Sequence, residues 1–199
     1  MMKYIFLAIF VLMVSGCSTT QPPVTEYRIN ATLSEQKRDV RGCLDKSIKV
    51  AQAFSSSSLM SQDMNYGLGK SKQYVYSQSQ WADVPNRALT SEIVKLLREI
   101  KLFKNIQIAK SRSKSNLILE TYIEDFKQYF NDDSSSSYAN VVVSLGILDA
   151  KSNKIVASKT FQSKVDVKSL DAGGGVEALN EALSQVLGQS AEWFEDVCK

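Results

Sequence analysis

Residues 141–147 carry apolar side chains at every second position, Val141, Val143, Leu145 and Ile147, and this constrains the fold more than any other stretch. Successive side chains in a strand point to opposite faces, so such alternation predicts a strand with one face turned to a core. Weaker strand patterns occur at 26–33, at 47–54 (Ile48, Val50, Phe54), at 72–79, at 104–110 with Ile106 and Ile108 inward, and at 115–129 with Leu117, Leu119 and Ile123 inward. The turn DAKSNK (149–154) predicts a hairpin into Ile155, Ala157, Phe161, Val165 and Val167. Between Ser55 and Lys72 no pattern holds; Leu59, Met60, Met64 and Tyr66 are the expected anchors there, and 130–138 reads as a Ser-rich loop.

Two stretches have helical spacing instead. Asp83, Pro85 and Asn86 form a helix-start cluster, and Leu89, Ile93, Leu96, Leu97 and Ile100 then share a face, with Lys95 and Glu99 spaced to pair. Val176, Leu179, Leu183, Val186, Leu187, Phe194 and Val197 form the apolar stripe of a last helix over about 176–195, with Trp193 at its edge. Gly173-Gly174-Gly175 reads as a flexible turn into that helix. The order predicts an α+β fold: a largely antiparallel sheet of about five to six strands covered by two amphipathic helices.

The 199 residues contain no histidine, which removes Ser-His-Asp and Cys-His machinery and the commonest zinc ligand. Three cysteines cannot make a four-ligand zinc site from Cys and His, no phosphate-binding glycine motif occurs, and a formal charge of +3 is too mild to argue for nucleic acid. Glu124-Asp125 and Asp132-Asp133 are the remaining acid/base candidates; strand neighbours point to opposite faces, and the second pair lies in the loop, so both read as solvated charge. The expectation is a protein without catalytic, metal or cofactor site.

The N-terminus reads as an address. Lys3 and the apolar run Tyr4–Val14 suit a signal peptide, the run being too short for the about 20 residues that span a bilayer. Val14-Ser15-Gly16-Cys17 looks like a lipobox, which places cleavage between Gly16 and Cys17 and acyl chains on Cys17. Several chains, at about 0.8 kcal/mol per buried methylene, make a stable anchor. Ser18 rather than Asp after the cysteine resembles sorting to the outer membrane, with the domain on its periplasmic face. The chain is thus divided into a signal peptide (1–16), a lipidated cysteine and tether (17–25) and one periplasmic α+β domain (26–199). In an oxidising compartment Cys43 and Cys198 form either a disulfide across a long loop or two unpaired thiols; they are not a redox CxxC pair.

Trp81-Ala82 lies between Tyr74-Val75-Tyr76 and the helical Leu89, Leu96 and Leu97, and Tyr27-Arg28-Ile29 follows the lipobox closely. With the hairpin-rich sheet and the amphipathic C-terminal helix, these features resemble the ABC-type transport auxiliary lipoproteins, the PqiC/YmbA-like accessories of MCE (mammalian cell entry) lipid transport systems. FSSSSLMSQDMNYGLGKSK stands where that family carries a proline-containing segment before its second strand.

The resemblance implies an outer-membrane-anchored, non-catalytic accessory or scaffold that docks on an MCE-domain protein, with permease and ATPase on other chains. It is also compatible with self-association. Trp81 either packs under the first helix or, with Tyr129 and Phe130 beside the 131–137 loop, contacts a partner. The alternatives are an outer-membrane assembly lipoprotein, such as a lipopolysaccharide-insertion accessory, and a regulator of peptidoglycan synthesis. The eight residues between Cys17 and the first candidate strand argue against the last of these.

Overall fold

A computed structural model describes residues 22–33 and 42–199. Gly16, Cys17, the signal-peptide stretch 1–16 and the tether up to residue 21 lie outside the described residues. The fold is α+β. Its strands are β1 (Thr25–Tyr27), β2 (Ser47–Val50), β3 (Phe54–Ser55), β4 (Asp63–Leu68), β5 (Lys72–Trp81), β6 (Asn105–Ile108), β7 (Leu117–Phe130), β8 (Ser137–Asp149) and β9 (Ile155–Asp166). Its two long helices are α1 (Pro85–Ile100) and α2 (Ala172–Val197). The sheet has nine strands rather than five or six, and it is mixed.

The extra strands come from short parallel pieces that carry too few residues to show a period. β7 runs antiparallel to β8 over its whole length, and β8 likewise to β9. On its other side β7 accepts β2, β3 and β4 one after another, all parallel: Ile48 sits beside Leu117, Phe54 beside Tyr122 and Tyr66 beside Gln128. β6 then adds parallel to β2, β5 antiparallel to β4, and β1 parallel to β5. The predicted strand 47–54 is therefore two strands with a break at 51–53, and β4 lies in the stretch read as irregular.

Alternation sets which face is buried. Leu117, Leu119, Thr121 and Ile123 of β7 point inward, and so do Phe126, Gln128 and Phe130. The change of parity between the two sets is absorbed by a register shift between Ile123 and Asp125. Val141, Val143, Leu145 and Ile147 of β8 are all buried, as predicted. Two expectations fail at the sheet edges. Ile155 is 69% exposed, because a register shift opposite Ile147/Leu148 interrupts the alternation at the start of β9. Ile108 is 50% exposed at the end of β6, which is paired on one side only.

Both helices cover the same sheet face. Leu89, Ile93, Leu96, Leu97 and Ile100 of α1 and Val176, Leu179, Leu183, Val186, Leu187 and Phe194 of α2 are buried, while Trp193 joins them at 8% exposure. Asp83 does not cap α1; Val84 does so without a side-chain bond, and Asp83 accepts from the Val84 N–H and from Arg87. Lys95 leans toward Glu92, at 3.6 Å, rather than Glu99.

The triple glycine lies inside the first turn of α2 and is not a flexible turn ahead of it. Asp171 caps that helix by accepting from the Gly174 N–H, a bond that holds its carboxyl below the usual carboxylate range. Gly175 is there for space: a Cβ would fall 2.0 Å from Gln128 Oε1. Of the anchors expected in 55–72, Leu59 and Met64 are buried, Tyr66 is half-buried and Met60 is 50% exposed.

Cys43 and Cys198 are joined by a disulfide, with Cα atoms 5.3 Å apart and 155 residues of separation. Both are 3% exposed. In the chain-entropy view a loop this long restricts the unfolded state by on the order of 5 kcal/mol. Cys43→Ser together with Cys198→Ser is therefore expected to lower the melting temperature by about 10 °C or more. Calorimetry of the oxidised protein beside the double variant checks it, and equal melting temperatures would remove the bridge from the stability account.

Candidate functional site

The segment that follows β1 was expected to extend as a strand to residue 33. It is extended, but it has no strand beside it. Instead it lies between the two helices, and side chains take its backbone groups in turn. From α2, Asn180 Oδ1 accepts the Asn30 N–H at 2.9 Å, Asn180 Nδ2 donates to the Arg28 carbonyl at 3.3 Å, and Ser184 Oγ accepts the Thr32 N–H at 2.9 Å. From α1, Glu92 Oε2 accepts the Ala31 N–H at 3.2 Å and Lys95 Nζ donates to the Ala31 carbonyl at 3.4 Å.

Odd and even residues thus face different helices, the period of two that an extended backbone imposes. Ala31 is buried, and Ile29 and Leu33 pack on the core. A shallow cavity of about 410 Å³ opens along the α2 side of this strap, lined by Asn30, Thr32, Glu177, Asn180, Glu181 and Ser184. Nothing in the apolar pattern of 26–33 announced this. The signal was on α2, where Asn180 and Ser184 sit one turn apart on a polar flank of the stripe.

Trp81 ends β5 at the corner into α1. It is 3% exposed, and its ring lies 5.7 Å from Phe126. Its backbone N–H donates to the Gln62 carbonyl, Gln62 Nε2 donates back to the Trp81 carbonyl, and the Ala82 N–H donates to the Tyr27 carbonyl at 2.7 Å. The indole therefore packs in the corner; it presents no surface to a partner, which corrects its candidacy as a contact residue.

Tyr129 and Phe130 were both candidates for contact with a partner, but as strand neighbours they lie on opposite faces. Phe130 packs inward, edge-on to Tyr66, at 9% exposure. Tyr129 lies on the uncovered face, stacked 5.5 Å from Tyr138, which in turn has Lys164 Nζ 3.5 Å from its ring centroid. Gly67 of β4 makes this lie possible, since a Cβ there would fall 2.5 Å from the Tyr129 ring.

Asp125 accepts both from the Tyr129 hydroxyl, at 2.9 Å, and from Asn140 Nδ2, at 2.7 Å. Glu124 accepts from Ser144 Oγ on the same face. The two carboxylates were expected on opposite faces; the shift at 123–125 puts both on the open one, where each is engaged with different partners. Among the described residues no three Cys, Asp or Glu side chains gather as metal ligands, and no helix is long and apolar enough to cross a membrane.

Beneath the open strip, on the covered face, Gln128 is 2% exposed and fully engaged. Its Oε1 accepts from the Tyr76 hydroxyl and its Nε2 donates to Ser137 Oγ, both at 2.9 Å. The same side chain meets Gly175, so β5, β7, β8 and the start of α2 converge on one amide.

Comparison with known proteins follows from this geometry. Residues 28–191 match the family model described as the ABC-type transport auxiliary lipoprotein component. Among solved structures, protein XCC0632 from Xanthomonas campestris, described under the family model DUF330, superposes with a TM-score of 0.77 at 18% identity, covering 87% of this chain and 96% of that one. A crystal structure described as an uncharacterized protein gives a TM-score of 0.66 at 11% identity, covering 87% and 99%. At such identities the likeness speaks for the fold alone. Among curated proteins no significant match was found.

Two measurements check the site. Asn180→Ala is expected to speed amide exchange at Asn30 by up to about tenfold, the loss of one net hydrogen bond. Exchange at Asn30 that stayed at the wild-type rate would mean that the strap is held without Asn180. The Tyr129 phenol is pushed above its ordinary value of 10.0, first by burial and then by the Asp125 charge and hydrogen bond. Its contribution to stability is therefore present in full below about pH 10 and is lost as pH rises through the higher folded value. In a spectrophotometric titration Asp125→Asn is expected to bring one late-titrating tyrosine back toward the ordinary range.

Proposed function

The chain belongs to the ABC-type transport auxiliary lipoprotein family, and from that premise we propose that it is a non-catalytic accessory of an MCE-type lipid transport system. It is anchored through acylated Cys17 in the inner leaflet of the outer membrane. The observation that carries this reading is the extent of the match, which runs from the strap at Arg28 into the second half of α2 at Ala191 and so takes in nearly all of the described fold.

The geometry supports a mount rather than an enzyme. The residues that follow the anchor are held along the helices by five side-chain-to-backbone bonds, so that a pull on Cys17 reaches the core directly. The most prominent carboxylates, Glu124 and Asp125, are each engaged with neighbours in the sheet. Of the three candidate contact residues, Tyr129 is the one that reaches the open face, and it is the contact carried into this reading.

In this arrangement the transporter's ATPase, permease and MCE chain lie elsewhere. The lipoprotein holds the outer-membrane end of the path through which lipid passes between the membranes. Self-association of the domain is compatible with this role and is not needed for it.

The test is affinity purification of the tagged lipoprotein from gently solubilised membranes, with mass spectrometry of what accompanies it. An MCE-domain protein recovered together with its permease and ATPase is the expected result. Recovery of a β-barrel or of a cell-wall synthase, with no MCE chain, would sink the reading in favour of outer-membrane assembly or peptidoglycan regulation.

A further inference from the structure

β1 pairs parallel to β5, with Thr25 beside Ser79 and Tyr27 beside Trp81. Going back along the chain from Thr25 therefore means going back along β5, toward the turn at Gly69–Ser71. The anchor side of the chain is thus directed toward one particular pole, with Thr25 itself, beside Ser79, still seven residues along β5 from Lys72 at the turn. Four other elements meet there. The Gly69 N–H donates to the Phe130 carbonyl at the end of β7, and the Val167 N–H donates to the Ser137 carbonyl at the start of β8. α2 begins there too, with Gly173 close to the Tyr27 hydroxyl.

The opposite pole holds the 149–154 hairpin, the start of β7 and the disulfide. It lies 13 residues away along β7, or about 44 Å at the usual rise of a strand. Eight residue steps separate Cys17 from Thr25, so a fully extended chain reaches at most about 29 Å. Thr25 is level with Asp63, about 17 Å below the Leu68–Phe130 end and about 27 Å from the other pole, so the tether reaches the leaflet with slack when the nearer pole faces it and only when drawn straight if the farther one does.

The nearer pole's surface has the composition for that position. Tyr74 is 44% exposed and Leu170 46%, and Val24, on the way toward the pole, 49%. Lys70, Lys72 and Lys168 are exposed among them. Asp132, Asp133 and Asp166 lie at the same pole and offset part of this charge, so apolar and aromatic contact carries more of the interaction than electrostatic attraction does.

We propose that this pole, formed by the β4–β5 turn and the β9–α2 connection, lies on the bilayer surface and contacts phospholipid headgroups, so that the 149–154 hairpin points away from the membrane. The inference rests on acylation of Cys17 as set out under the proposed function. The lipid anchor brings the surface within reach; the side chains at the pole hold the domain upright on it.

The experiment uses the full acylated protein in vesicles of phosphatidylethanolamine and phosphatidylglycerol that contain a headgroup-nitroxide lipid. Lys70→Cys, Leu170→Cys and Lys151→Cys are each labelled with a small fluorophore under non-reducing conditions, which keep the native bridge intact. Flotation of each sample is measured first. Quenching at positions 70 and 170 is expected to exceed that at 151 by roughly threefold or more, given the about 44 Å between the poles.

Equal quenching at all three positions, or stronger quenching at 151, with the protein floating normally, would overturn the orientation and leave the anchor standing. Protein that does not float would overturn the anchor, and this proposal with it. The quadruple variant Lys70→Ser, Tyr74→Ser, Lys168→Ser, Leu170→Ser, still floating and still folded by circular dichroism, is expected to even out the quenching. A quenching contrast left unchanged by those substitutions would show that the pole's side chains do not hold the orientation.

Discussion

Everything else in the molecule is arranged around one strand. β7 gives the whole of one edge to β8 and divides the other among β2, β3 and β4, three strands that have too few residues to stand alone. Its inward residues form the floor on which both helices rest, and its outward residues supply much of the uncovered strip. The strand can do both because of the shift at Ile123–Asp125. Without that irregularity the inward set Leu117–Ile123 would continue as Asp125, Lys127 and Tyr129, placing charge under α2 and leaving Phe126 and Phe130 in water. A one-residue change of parity thus decides which side chains form the core and which remain available.

A second thread runs outside that spine. From Arg28 to Thr32 the chain passes between the helices and is bonded on both flanks, and Cys43, farther along the sequence, is tied to the far end of α2. The sheet is held by backbone pairing, whereas the strap is held by Asn180, Ser184, Glu92 and Lys95. Side-chain bonds at a partly exposed site contribute about 1 kcal/mol each, so the strap depends on their number and on the burial of Ala31 rather than on any single one. Gln128 plays the corresponding role at the other pole. It is a buried amide with both its oxygen and its nitrogen engaged, and it locks three strands to the first turn of α2.

How much of this could be read from the amino acids depended on the length of each element. β8 and the two helices announced themselves, because a dozen or more residues suffice to show a period. β2, β3 and β6 have at most four residues each, too few to reveal a parallel neighbour far away in the chain, and so the sheet came out too small. Trp81 was legible as a residue of the strand-to-helix corner; whether it packed there or met a partner was left open, and burial against Phe126 answers that. The triple glycine misled, since glycine suggests freedom, whereas at Gly175 it answers a need for room beside Gln128. The strap was invisible because its partners are polar side chains on helix flanks, which in a sequence look like ordinary solvated positions. Family resemblance added what no period could, the kind of machine in which such a mount is used.

The bridge between Cys43 and Cys198 also sets a schedule. A chain that emerges from its N-terminus presents Cys43 to an oxidant 155 residues before its mate arrives, so the bridge closes only once nearly the whole domain has emerged. Of the three cysteines, acylation under the proposed anchoring would already have consumed the sulfur of Cys17. Two thiols then remain, and two thiols have one pairing. An odd number of cysteines, which would ordinarily allow scrambled isomers, leaves this protein no wrong partner to choose.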